Sequence, residues 1–263
     1  MSIENISIPK HLSPSPLGTK EYNDKNLPKS WDDLYYEEIA NHIQDSENEG
    51  TIWFDEANAS EKILNYLEDL VNRPKVSEIH LSHENSSILD LGTGNGHLLF
   101  SLRSNSEEIS SNRKKWNGRI MGVDYSEKSI EFARRIAAER KINSIEFKHW
   151  DIMNSEPMGA VLEGQNISGW DIVLDKGTFD AISLSSEIDT NGRRKSENYR
   201  SRVLPLIKTG GILLITSCNW TEMELKSWFC GPGLRFFDRI EYKSFSFGGQ
   251  MGQKVSSICF LKE

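Results

Sequence analysis

The sequence predicts an α/β fold: a mostly parallel sheet with helices on both faces, ending in an antiparallel hairpin and preceded by a helical extension. Three observations predict it. Short apolar runs at 88–91, 119–123, 145–149, 171–174 and 212–216 alternate with amphipathic stretches at 98–103, 129–140, 179–183 and 199–207. That alternation places parallel strands between crossover helices. The first run leads directly into glycines at alternate positions, Gly92, Gly94 and Gly96, which marks a strand–turn–helix junction. Further on, the rhythm changes to strand-like runs at 236–245 and 254–260 around Phe247-Gly248-Gly249-Gln250-Met251-Gly252, the pattern of an antiparallel pair at a sheet edge.

Residues 1–29 hold Pro14, Pro16 and Pro28 among polar residues without periodicity and read as a disordered arm. Residues 30–263 read as one domain, with a helical cap over 30–75 and the sheet core over 86–263. In the cap, Trp31, Leu34, Tyr35, Ile39 and Ile43 fall at helical spacing behind Ser30, an N-cap candidate. An extended Thr51-Ile52-Trp53-Phe54 follows. A second helix over 56–72 gathers Ile63, Tyr66, Leu67, Leu70 and Val71 on one face, and Pro74 stops it. Polar insertions at 104–117, 155–169 and 185–198 exceed the usual βα connection and read as surface loops. The basic runs Arg113-Lys114-Lys115 and Arg193-Arg194-Lys195 inside them read as solvated charge.

A chain of 263 residues with formal net charge −8 suits one α/β domain and argues against a broad nucleic-acid surface, which needs clustered positive charge. No apolar run has the length of a membrane span, and the N-terminus lacks a signal-peptide core. Cys218, Cys230 and Cys259 are odd in number and scattered, as in a reducing compartment. The expectation is a cytoplasmic monomer without a metal site.

The chemistry collects at the strand ends, where open α/β sheets bind ligands. The loop Asp90-Leu91-Gly92-Thr93-Gly94-Asn95-Gly96 spaces its glycines as G-x-G-x-G, so its backbone can approach a ligand closely. Asp90 faces that ligand. A carboxylate there repels a pyrophosphate and suits the amino group and sulfonium of S-adenosylmethionine. The second strand ends in Asp124-Tyr125-Ser126. Asp124 can accept both ribose hydroxyls and Tyr125 can lie beside the adenine, or Asp124 can cap the next helix. That acid serves NAD equally well, so an oxidoreductase stays open on this element alone. Asp151 and Ile152 end the third strand, as adenine contacts or as a turn. Asp175-Lys176-Gly177-Thr178 ends the fourth, where a carboxylate suits a cationic amine better than a neutral base.

Leu89–Gly96, Gly122–Ser126 and His149–Ile152 resemble the successive cofactor motifs of class I, seven-strand S-adenosylmethionine-dependent methyltransferases. More narrowly, Asp175-Lys176-Gly177-Thr178-Phe179-Asp180-Ala181, Thr216-Ser217-Cys218-Asn219-Trp220-Thr221, Phe247-Gly248-Gly249, Trp31–Tyr35 and Ile52-Trp53-Phe54 resemble the lysine methyltransferases that modify translation elongation factor 1-alpha. The resemblance implies mono- or dimethylation of a lysine on that protein partner, with neither nucleic acid nor membrane. It implies cofactor contacts from Trp31, Asp90, Gly92, Thr93, Gly94, Gly96, Asp124, Tyr125, Ser126, Asp151, Ile152 and Asp175, and catalytic roles for Asp175, Lys176 and Trp220. The acceptor lysine must be neutral to attack, and at physiological pH only about one in a thousand is. A carboxylate alone raises a lysine pKa, so Asp175 is expected to orient the amine. Trp31, Tyr35 and Trp220 are expected to wall its slot.

Overall fold

The carboxyl ends of five parallel strands form one edge of the molecule, and the site lies along it. The computed structural model describes residues 30–73, 78–104, 113–185, 187–189, 192–243 and 255–263, with the backbone of 245–247 and 250–252. The proposed arm, Pro74, most of the first insertion and the pair Gly248-Gly249 lie outside the described residues. The strands are β1 (Ile88–Leu91), β2 (Ile120–Asp124), β3 (Ile145–His149), β4 (Trp170–Lys176), β5 (Ile207–Ser217), β6 (Leu234–Ile240), β7 (Phe245–Phe247), β8 (Gln250–Gly252) and β9 (Ser256–Lys262). The main sheet has seven strands in the order β3-β2-β1-β4-β5-β9-β6. Neighbours from β3 to β5 pair in parallel, and β9 pairs antiparallel with both β5 and β6. The expected hairpin is therefore present, with its second strand seated inside its first. Its connection carries a separate β7–β8 pair in place of a short turn.

The helices are α1 (Trp31–Gln44), α2 (Ala59–Asn72), α3 (His97–Arg103), α4 (Glu127–Glu139), α5 (Thr178–Ser183), α6 (Tyr199–Val203) and α7 (Glu222–Phe229). Ser30 caps α1 by accepting from the Asp33 N–H at 3.1 Å, and Ser126 caps α4 by accepting from the Ser129 N–H at 3.1 Å. Helix α7 escaped the apolar periodicity because it is short. Its capping box, Thr221 with Glu224, stands in the sequence as T-x-x-E and marks its start. In the expected extended segment at 51–54, Trp53 and Phe54 form a turn instead, followed by a single 3-10 turn at Asp55–Ala57.

Side chains alternate across each strand, and the core divides accordingly. One face buries Ile88, Ile120, Ile172, Leu174, Ile212 and Leu214 against α1 to α4. The other buries Leu89, Leu91, Met121, Val123, Val173 and Ile215 against Phe179, Tyr199 and Phe229. The same alternation puts Asp90, Asp124 and Lys176 on the first face and Asp175 on the second.

Two insertions are more than surface loops. In 155–169, Val161 and Leu162 are buried in the second core, and the Asn166 amide donates to Ser87 Oγ at 2.7 Å. In 185–198, Lys195 pairs with Glu187 at 2.6 Å and Arg193 with Asp189 at 3.6 Å, while Arg113 of the first insertion pairs with Glu61 at 2.9 Å. Arg113, Arg193 and Lys195 of the basic runs thus pair with acids of their own chain.

Arg103, at the end of α3, fastens the opposite edge of the sheet. Its guanidinium is buried and donates to the carbonyls of Trp116, Gly118 and Ser144, which precede β2 and β3. Arg103→Met keeps the stem and strands these carbonyls. It should cost about 3 kcal/mol and lower Tm by about 8 °C in a thermal melt.

Candidate active site

Each glycine of the first loop has positive φ: 64° at Gly92, 58° at Gly94 and 80° at Gly96. A β-carbon on Gly92 would fall 2.0 Å from Thr178 Oγ1, and one on Gly94 would fall 2.7 Å from the Tyr35 hydroxyl. The loop is thus shaped first by its own protein. Thr178 Oγ1 also donates to the Leu91 carbonyl at 2.6 Å, locking the end of β4 to the end of β1.

Asp124 ties this loop to α4. Its Oδ2 accepts from the Gly94 N–H at 3.1 Å and from the Ser129 hydroxyl at 2.9 Å, and its Oδ1 accepts from the Ser126 N–H at 3.0 Å. A carboxylate has about four acceptor positions, so one of Asp124's is open on Oδ1. One ribose hydroxyl can be taken as the side chain stands, where the sequence suggested two. The cap of α4 is Ser126, not Asp124, and the Ser126 hydroxyl donates to Asp32 of α1 at 2.6 Å.

Asp90 differs. It is 4% exposed, and among the described residues its carboxylate accepts no backbone N–H. Burial raises its pKa to about 6, while the Thr93 hydroxyl and the Lys176 charge pull it down. Its carboxylate keeps acceptor capacity to spare. That fits the ammonium of a cofactor's amino-acid end.

Tyr125 is 51% exposed beside the loop, available to cover a flat ring. Asp151 caps its own turn, accepting from the N–H groups of Met153 at 2.8 Å and Asn154 at 3.2 Å and from the Asn154 amide at 2.7 Å. Ile152 is buried in the second core.

Asp175 is 1% exposed and saturated. It accepts from the Tyr199 hydroxyl at 2.6 Å and the Thr178 N–H at 2.9 Å, and the Phe179 N–H reaches both of its oxygens at 3.2 Å, so its acceptor positions are all used. Two of these donors open α5, so the acid fixes that helix to the strand end. The expectation that Trp31, Tyr35 and Trp220 wall one slot is corrected. Trp31 and Tyr35 stack at 6.3 Å on the first face. Trp220 is 2% exposed in the second core, packed 5.6 Å from both Phe179 and Trp228, and its indole N–H donates to Ser183. Lys176 points away from Asp175 toward the turn at Trp53 and Phe54, as alternation requires.

Sequence reasoning missed Tyr199, Ser129, Asp32 and Asp180. The last is buried and accepts from the Cys218 N–H at 2.8 Å and from the Ser217 hydroxyl at 2.5 Å. Only Asp180 carried a local signal, through its place in the Asp175–Ala181 motif. Among the described residues no three His, Cys, Asp or Glu side chains converge as metal ligands, and no helix is long and apolar enough to cross a membrane.

Residues 82–245 match a family profile described as a methyltransferase domain. The chain is 37% identical over 254 residues to protein-lysine N-methyltransferase EFM4 of Saccharomyces cerevisiae, covering 96% of this chain and 97% of that one. It is 32% identical over 249 residues to EEF1A lysine methyltransferase 2 of Homo sapiens, covering 95% and 88%. Among solved structures, magnesium protoporphyrin IX methyltransferase from Synechocystis with bound SAM superposes with a TM-score of 0.53 at 13% identity, over 92% of this chain and 100% of that one. That likeness shows the shared class I fold.

Two outcomes follow from this geometry. Asp124→Ala unties Gly94 and Ser129 together, and calorimetry should detect no binding of S-adenosylhomocysteine. Burial also holds Asp175 at about 7, above the roughly 4 of an unfolded chain. The folded state keeps this proton while the unfolded state has released it, so stability falls as pH rises from about 4 to about 7 and then levels off. Asp175→Asn removes that slope. Thermal melts should show the variant gaining on the wild type at pH of about 8 relative to about 5.

Proposed function

The chain belongs to the methyltransferase family that includes protein-lysine N-methyltransferase EFM4 and EEF1A lysine methyltransferase 2, and from that premise we propose that its acceptor is a lysine of translation elongation factor 1-alpha. The chain is a protein-lysine N-methyltransferase and S-adenosylmethionine is its cofactor. The observation that supports the substrate is similarity along 95% of this chain to EEF1A lysine methyltransferase 2 of Homo sapiens, since it extends through the cap as well as the cofactor half. We place the reaction in the cytoplasm, with a monomeric enzyme adding one or two methyl groups.

S-adenosylmethionine, when bound, supplies an electrophilic methyl group on a sulfonium. Asp90 would hold the amino end of the cofactor with its open carboxylate, and Asp124 would take a ribose hydroxyl at Oδ1. Thr93 and Ser126 hold the loop and α4 in register for both, and the three glycines keep that wall thin. Tyr125, Asp151 and Ile152 would border the adenine, and Trp31 would close the cap side.

Asp175 does not receive the acceptor as the side chain stands, because its acceptor positions are filled. It holds α5 and Tyr199 in place, with Trp220 packed behind, so that the carboxyl end of β4 is a rigid platform for in-line transfer. Excluding water from that platform lowers the acceptor's pKa by desolvation.

Intact-mass spectrometry tests the substrate. Elongation factor 1-alpha from cells lacking this protein is incubated with enzyme and S-adenosylmethionine. A gain of one or two methyl masses, absent with Asp124→Ala, is expected. No gain from an enzyme that binds S-adenosylhomocysteine normally sinks the substrate assignment.

A further inference from the structure

One cation at the site has no task in that chemistry. Lys176, the last residue of β4, donates from Nζ to the Trp53 carbonyl at 3.2 Å and lies 5.7 Å over the Phe54 ring. Both partners belong to the turn that joins α1 to α2. That turn is strained at Phe54, whose φ of 65° is a left-handed conformation that costs a bulky residue about 1–2 kcal/mol, while Asn58 at φ 51° is a residue type that adopts it readily. The Phe54 ring rests where Gly177 has no side chain, since a β-carbon there would meet Phe54 Cε2 at 2.7 Å. Trp53 packs edge-on against Trp31 at 5.4 Å. Consecutive residues of β4's exit, Lys176 and Gly177, thus serve a turn more than a hundred residues earlier.

Burial lowers the pKa of this ammonium, and the carboxylates of Asp90 and Asp175 raise it. Asp90 faces it from β1, Asp175 lies on the opposite side of β4, and His97 faces it from the first turn of α3. Glu49, Asp55 and Arg140 act on His97 from beyond. Like charges in one small site disfavour a second protonation.

We propose that Lys176 is a positioning residue that pins the 51–58 turn over the carboxyl end of β4 as one wall of the acceptor's entrance, and that its fixed charge there admits the acceptor lysine as the free amine. The acceptor leaves its proton in bulk water before entry. Its nitrogen lone pair then forms the N–C bond as the C–S bond breaks. The pin stands on the contacts alone, and the charge effect rests on the lysine-methyltransferase reading.

Lys176→Met and Lys176→Arg separate the two parts. Hydrogen exchange at the amides of Ala57, Asn58 and Ala59, which donate to the Phe54 and Asp55 carbonyls, reads the pin without substrate. The Met variant should exchange there about tenfold faster and the Arg variant close to the wild type, with affinity for S-adenosylhomocysteine kept within about threefold. The pH dependence of kcat at saturating elongation factor 1-alpha, which reports ionisation in the enzyme–substrate complex, reads the charge. Its rising limb should move up by about one pH unit in the Met variant and return in the Arg variant. Unchanged exchange overturns the pin. A uniform loss of rate with an unmoved limb overturns the charge effect, and loss of S-adenosylhomocysteine binding overturns both by assigning Lys176 to the cofactor. If the wild type leaves elongation factor 1-alpha unmodified, the substrate assignment falls while exchange still decides the pin.

Discussion

Four consecutive residues at the end of β4 hold the catalytic edge together, each by a different contact. Asp175 secures α5 and Tyr199, Lys176 secures the cap's turn, Gly177 leaves room for Phe54, and Thr178 bonds the Leu91 carbonyl beside Gly92. The alternation of a strand sends the first two in opposite directions, so one short segment joins both cores. The glycine loop, the cap and the second face thereby share one fixed point. The geometry of methyl transfer needs that fixity, because a misplacement of about 1 Å is enough to cost a large part of the rate.

The acids at this edge divide by what their oxygens already hold. Asp124 and Asp175 spend their acceptor positions largely on the chain's own donors, while Asp90 keeps its positions open. Burial raises the pKa of all three. The saturated acids build the frame, and the open one is free to meet a cation.

The parallel strands were legible in the sequence because buried apolar residues recur through each of them, and β1 and β3 have the bounds expected of them, while β5 begins at Ile207, five residues before its apolar run. The acids of the site were legible because they stand where the apolar runs stop. What their carboxylates bond was not, since Tyr199 and Ser129 approach Asp175 and Asp124 only once the helices pack. The opposite facing of Asp175 and Lys176 follows from strand period alone. The expectation of an aromatic slot including Trp220 failed because adjacency of motifs says nothing about which face a ring occupies. The turn at Trp53 and Phe54 was read as extended because Trp and Phe favour strands. Its left-handed Phe54 depends on a vacancy at Gly177, which local propensity cannot register.

The seating of β9 between β5 and β6 bears on how the chain is made. During synthesis β5 and β6 both emerge before the strand that joins them, and β6 has no other partner in the sheet. Until β9 arrives, the nascent chain carries an open apolar edge at β5 and an orphan strand beside it, the kind of surface that recruits wrong partners. The edge of the sheet at β5 is therefore closed only by a strand that follows β6 in the chain, after the glycine loop and the acids that frame it have been made.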